Sequence, residues 1–319
     1  MNIQYIEPLS RGFARMKTAL FTPFDIKKWF VVGFTAFLAG SANWGFQGPF
    51  SFNGNKGGRA NKADLEQILY FPQKAWEWLA NHPAWTILIC FLLFIGFLVG
   101  LLIGWINARG KFMFLDNVVH NRSLIVAPWK EYRNEANSLF VFSFFLGLVG
   151  LVIVVFYVIQ CMMSLQSLYE SSGDFRTLIG PAILAGLGLL AIFFVFGFIT
   201  FLLNTFVVPI MYGDRSNTSR AVQKFFPLFL SNFLYFIGFA IFLLCLSILL
   251  GIGVIIAGCL TCCIGFILLM IPYIGMVVTL PISYALRAFS VEFLEQFGPE
   301  YHIFPRPEVN PPEAIPTTV

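Results

Sequence analysis

In this chain of 319 residues, 58% are hydrophobic and 11% charged, and mean hydropathy is +0.79. Soluble domains carry about a quarter charged residues, so the composition excludes an ordinary soluble fold. The net charge of +4 is small and no basic cluster carries interleaved aromatics, so nucleic acid is not an expected partner.

The first 28 residues carry Arg11, Arg15, Lys17, Lys27 and Lys28 with no apolar stretch before a small-residue cleavage site, which argues against a cleavable signal peptide. Phe13, Met16, Ala19 and Leu20 follow helical spacing, which predicts an amphipathic helix lying on the inner membrane surface. Thr22-Pro23 ends it, Asp25 to Trp29 forms an interfacial collar, and a first span is expected at 29–47. In the loop over 48–83, Gly48-Pro49 and Asn53 to Gly58 are turn chemistry. Asp64–Phe71 and Gln73–Ala80 read as helical, and Trp76, Trp78 and Trp85 as an aromatic belt.

A second span is expected at 84–107, leaving the lipid at Arg109-Gly110-Lys111. Beyond it, Phe112–Leu115 and Val118-Val119 continue the helix along the surface, within a polar stretch holding Asp116, His120, Arg122, Lys130, Glu131, Arg133 and Glu135. Pro128 suits the first turn of a helix climbing into a third span at 139–166. A short loop leads to a fourth span at 178–206, and Ser216 to Ser219 offers helix caps after it.

From Phe225 to Leu286 no Asp, Glu, Lys, Arg or His occurs in 62 residues. About 20 apolar residues cross a bilayer as a helix, so this run must fold back at least once. It predicts spans five and six at 226–252 and 262–288, with the turn near Gly251–Gly258. Six proline residues after Gly298 predict an extended, poorly packed tail. The expected fold is therefore an all-α polytopic bundle: a segment 1–28, a six-span domain 29–297 and a tail 298–319.

Charge placement orients it. Six spans put fifteen of the lysines and arginines on one side and five on the other, which by the positive-inside rule predicts cytoplasmic termini. Three aromatic-led stretches, Phe112–Asp116, Phe206–Ile210 and Phe289–Phe293, recur where helices return inward and suggest three helix hairpins.

Four stretches carry a family resemblance: Pro23-Phe24-Asp25-Ile26 before Lys28-Trp29-Phe30, Arg109-Gly110-Lys111-Phe112-Met113-Phe114-Leu115-Asp116, Cys262-Cys263 with Pro272-Tyr273-Ile274-Gly275, and Phe293 through Tyr301. They resemble a family of uncharacterised bacterial multi-pass membrane proteins over nearly the whole chain except 48–62. Val208-Pro209 leading to Ser219-Arg220-Ala221 is more distantly similar to the membrane domain found beside glycerophosphodiester phosphodiesterases. There is no room here for that catalytic domain. The resemblance implies a bacterial inner-membrane address and no activity.

The chemistry is sparse. No nucleophile–base pair, Gly-x-Ser-x-Gly or phosphate loop occurs, so no enzyme, cofactor or metal is expected. His120 stands four residues after Asp116, a surface-pair spacing. Cys259 and Cys262 have a Cys-x-x-Cys spacing without a second ligand pair. Gly96, Gly100 and Gly104 recur every fourth residue, which predicts close helix contact. Apart from Arg287 at the inner end of the sixth, the expected spans contain no Asp, Glu, Lys, Arg or His, which argues against ion-coupled transport.

Two readings follow. In the first, a membrane scaffold binds a membrane or cytoplasmic protein partner, or anionic lipid headgroups, through Arg109, Lys111, Asp116, Arg122, Arg133, Arg215 and Arg287 on its cytoplasmic face. In the second, a lipid or hydrophobic molecule passes along a pathway lined by Asn204, Asn232, Tyr235, Pro272 and Pro281. A cavity of about 300 Å³ or more would favour the second.

Overall fold

In a computed structural model, residues 3–44, 70–172, 176–261 and 264–305 are described, and among them there are helices and turns but no strand. The chain begins with α1 (Ile6–Phe21), α2 (Ile26–Trp44), α3 (Phe71–Asn81) and the long α4 (Pro83–Val119). After α5 (Val126–Glu131) come α6 (Arg133–Ser172) and α7 (Arg176–Leu202). One π-helical turn (Leu203–Val207) joins α7 to α8 (Val208–Asp214) without a break. The remainder is α9 (Thr218–Ser231), α10 (Phe233–Leu260), α11 (Ile264–Met270), α12 (Pro272–Val278), α13 (Leu280–Glu295) and a 3₁₀ turn at Pro299–Tyr301. The turn chemistry expected at 48–62, the Asp64–Phe71 helix up to residue 69, and Cys262-Cys263 lie outside the described residues.

Among the described residues, four helices are long and apolar enough to cross a membrane: α4, α6, α7 with its continuation to Asp214, and α10. The pair α12–α13, bent by 64°, makes a fifth if taken as one. The first expected span, α2, is not among them; it has 19 residues and opens with Lys27 and Lys28. The expected sixth span is three short helices. Ile271 is extended (φ −81°, ψ 113°) ahead of Pro272, as steric clash with a proline ring requires, and Pro281 stands in the first turn of α13. Asn232 (φ −126°, ψ 29°) separates α9 from α10. Span five therefore begins at Phe233 rather than 226, and α10 continues through Gly251–Gly258, where a turn was expected.

The hydrophobic core lies at one end of these helices. The most apolar windows of α4, α6, α7 and α10 are 0–6% buried by protein, which leaves their side chains to lipid. Packing begins where charged residues appear. Phe112, Leu115, Phe206, Val208, Phe289 and Phe293 are fully covered. The three aromatic-led stretches expected at the surface thus form the interior. Phenylalanine rings meet there at 4.4 Å (Phe239 and Phe293) and 4.9 Å (Phe206 and Phe236, Phe236 and Phe297). Such pairs add roughly 0.5–1.5 kcal/mol each to simple burial.

Two glycines bring helices close. At Gly110 a β-carbon would stand 2.5 Å from the backbone of Leu38 and Ala39 in α2, and at Gly12 it would stand 2.8 Å from the backbone nitrogen of Phe289. The first contact clamps α2 on α4, where Asn107 Nδ2 also donates to the Leu38 and Ala39 carbonyls at 3.1 and 2.6 Å. The second lays α1 along α13. That helix buries Met16, Ala19 and Leu20 against protein instead of lipid, while Phe13 stays exposed. Arg15 Nε donates to Glu292 at 2.6 Å. Residues 298–305 are packed rather than loose: Tyr301 and Phe304 are buried, and Arg15 lies 3.7 Å above the Phe304 ring.

Candidate functional site

Two polar constellations lie at the packed end. The first surrounds Asp116, which is completely buried in the last turn of α4. Arg122, carried back by the turn at Asn121 (φ 51°), grips both carboxylate oxygens, Nε to Oδ2 at 2.9 Å and a terminal nitrogen to Oδ1 at 2.7 Å. Tyr212 from α8 donates to Oδ1 at 2.9 Å and also lies 3.0 Å from His120 Nδ1. The hydroxyl of Tyr132 reaches Oδ1 at 3.4 Å, and its ring stacks on Tyr212 at 4.8 Å. Burial, with the nearby Asp116 charge, pushes the Tyr132 phenol up to about 12. The hydrogen bond it donates to Asp116 holds the Arg122 guanidinium above its ordinary value. Arg215 lies over the Tyr132 ring at 3.9 Å and pairs with Glu131.

This cluster answers the orphan-charge problem from all sides. A buried carboxylate without partners costs several kcal/mol, and here each oxygen accepts from a charged or phenolic donor. With its oxygens occupied this way, Asp116 ties the ends of α4 and α8 to the turn after α4.

The second constellation heads a cavity of about 450 Å³ between α4, α6 and α7. Lys111 Nζ bonds Asn204 Oδ1 at 2.7 Å, and Arg287 bonds the Asn204 carbonyl at 2.6 Å. The local cause is the π turn. The Val208 N–H goes to the Leu203 carbonyl, five residues back; the next amide would serve Asn204, but it belongs to Pro209, which has no N–H. The Asn204 carbonyl is thereby free to receive Arg287 from α13. Lys111 and Asn204 both line the cavity.

The residues expected to bind a partner are dispersed by the fold. Asp116 and Arg122 pair with each other. Arg109 is buried between Trp105 and Trp129, 4.4 and 4.7 Å from their rings. Lys111 and Arg287 converge on Asn204. Arg133 and Arg215 alone of the seven are exposed. Among the residues expected to line a pathway, Asn204 lines the 450 Å³ cavity. Pro281 instead borders a separate apolar groove of about 420 Å³ with Phe13, Met16 and Leu246. Asn232 binds the Leu228 carbonyl at 3.2 Å, the Tyr235 carbonyl accepts from Tyr5, and Pro272 starts α12.

Tyr132 and Tyr212 were not singled out from the sequence. The available signal for Tyr212 was a hydroxyl within the apolar stretch Val207 to Tyr212, which buried phenols need a partner to occupy. Gly96, Gly100 and Gly147 make no helix contact: nothing lies within 4 Å of a β-carbon placed there. Gly100 and Gly147 open the cavity instead.

Helices of this length and apolarity, packed mainly at one end, place the molecule among helical membrane proteins. The chain belongs to DUF7544, a family of unknown function, whose model matches residues 3–291. No curated protein and no solved structure matches it.

Proposed function

We propose that this is a non-catalytic integral protein of the bacterial inner membrane that binds anionic lipid headgroups or a protein partner through its packed, cytoplasmic end. In this reading α2 and the broken α11–α13 complete six spans as three hairpins, α2 with α4, α6 with α7, and α10 with α11–α13. Residues 298–319 form the cytoplasmic tail. The observation that carries it is the exposure of Lys130, Arg133 and Arg220 beside the α5–α6 and α8–α9 junctions, where none makes an ion pair among the described residues. Exposed cations flanking apolar helices attract anionic headgroups at about 1 kcal/mol each.

The experiment is K130E/R133E/R220E, checked for folding and purified in mild detergent. The variant loses co-purifying proteins or anionic lipids that the parent retains. Identical protein and lipid profiles from the two preparations would sink the proposal. Arg109 and Arg122 are unsuitable for such a test because they hold the fold together.

A second reading, passage of a lipid or hydrophobic molecule, is favoured by the 450 Å³ cavity between three apolar helices. A pathway requires net flux of a labelled lipid in vesicles containing the protein, which binding alone does not.

A further inference from the structure

The cavity between α4, α6 and α7 has the proportions and polarity of an amphiphile. Along α4 its lining runs from Phe97 to Lys111, a separation of 14 positions, or about 21 Å at about 1.5 Å rise each. The Phe97 end is walled by Phe97, Leu101 and Phe144. The other end carries Lys111 and Asn204. Gly100, Ser143 and Gly147 are exposed at its rim, so the groove opens sideways, toward lipid.

Charge gives the occupant its sign. Lys111 Nζ and the Arg287 guanidinium meet on the two oxygens of one neutral residue, Asn204, and neither makes an ion pair with a carboxylate among the described residues. Two cations packed together at the edge of an apolar bundle repel each other and are costly to hold there. A phosphate at the head of the groove would receive Lys111 directly, with Arg287 adding attraction from behind Asn204. The small residues at 100 and 147 leave the room a chain would fill.

We propose that this groove binds one anionic phospholipid, its phosphate against Lys111 and one acyl chain running along α4 toward Phe97. It rests on the membrane reading above and deepens it, but uses residues distinct from the exposed Lys130, Arg133 and Arg220.

The test is native mass spectrometry of the full chain in detergent, titrated with phosphatidylglycerol or phosphatidylcholine of matched chains. Three variants, K111Q, K111E and G100L, are compared after each is shown to be monodisperse with parental helicity. The parent is expected to hold one phosphatidylglycerol per chain at least tenfold more tightly than phosphatidylcholine. K111Q and K111E lose that preference, and G100L loses the bound lipid altogether by filling the groove. K130E/R133E/R220E retains it, which separates failure of the surface proposal from failure of this one. The proposal is overturned if K111E keeps the preference, if G100L binds as the parent does, or if inorganic phosphate at millimolar concentration displaces the lipid without its chain mattering.

Discussion

Arg122 and Asp116 form a two-pronged ion pair in which the carboxylate is wholly buried while the guanidinium side chain is 33% exposed. One partner reaches water and the other does not, so the two truncations are unequal. R122A strands a negative charge left to Tyr212, Tyr132 and His120 Nδ1 at 3.3 Å, and should cost about 3 kcal/mol, the lower end for breaking a buried pair. D116A frees an arginine that can turn to water and should cost less. Reversible unfolding in mixed detergent micelles measures both, and equal losses would contradict the asymmetry.

The Tyr212 hydroxyl bridges Asp116 and His120. Y212F should destabilise the protein by about 1.5–3 kcal/mol, the range for hydrogen bonds to charged groups. In a cycle with D116N the two effects should be non-additive by at least about 0.5 kcal/mol. Simple additivity would mean that the hydroxyl acts independently of the carboxylate.

Stability should fall in strong alkali through Tyr132. Its phenol is pushed from 10.0 to about 12, first by burial and then by Asp116. The folded form therefore keeps its proton longer than the unfolded chain. Tyr132 contributes fully below pH 10, and that contribution is lost as pH rises toward 12. Y132F should show a shallower decline over this window; the same slope in both proteins would remove Tyr132 from the explanation.

Glycines of identical chemistry should behave oppositely. G110A drives a methyl group into the α2 backbone and should cost at least about 2 kcal/mol, because backbone cannot step aside as a side chain can. G96A meets open space and should be neutral or stabilising by up to about 1 kcal/mol, alanine being the better helix former. Thermal unfolding of both variants decides the matter.

Much of the architecture was legible because lipid demands long uncharged helices, and α4, α6, α7 and α10 are such helices. Boundaries at the packed end were not. Arg109, Lys111 and Asp116 mark an exit from hydrocarbon, but that exit leads into protein instead of water, since Trp129, Asn204 and Arg122 arrive from elsewhere in the chain to receive them. A charge near an aromatic run has the same spacing whether it faces solvent or a distant partner. For the same reason Phe112, Phe206 and Phe289 read as an interfacial repeat while in fact they share one interior. The two cations at Asn204 were visible only as single residues, Lys111 and Arg287, 93 and 83 positions from that point of convergence and 176 from each other.

The helices are fastened at their roots and held more sparsely beyond them, as where the Tyr157 hydroxyl of α6 reaches the Ala185 carbonyl of α7, so they resemble cantilevers set in a common block. Spacing between the tips is then governed by how tightly the surrounding acyl chains pack, and stiffening or thinning the bilayer should change the splay of α4, α6 and α7 while the root stays as it is. The width of the groove between them should then follow lateral membrane pressure, and a spacing between spin labels on α4 and α7 that ignores bilayer thickness would contradict it.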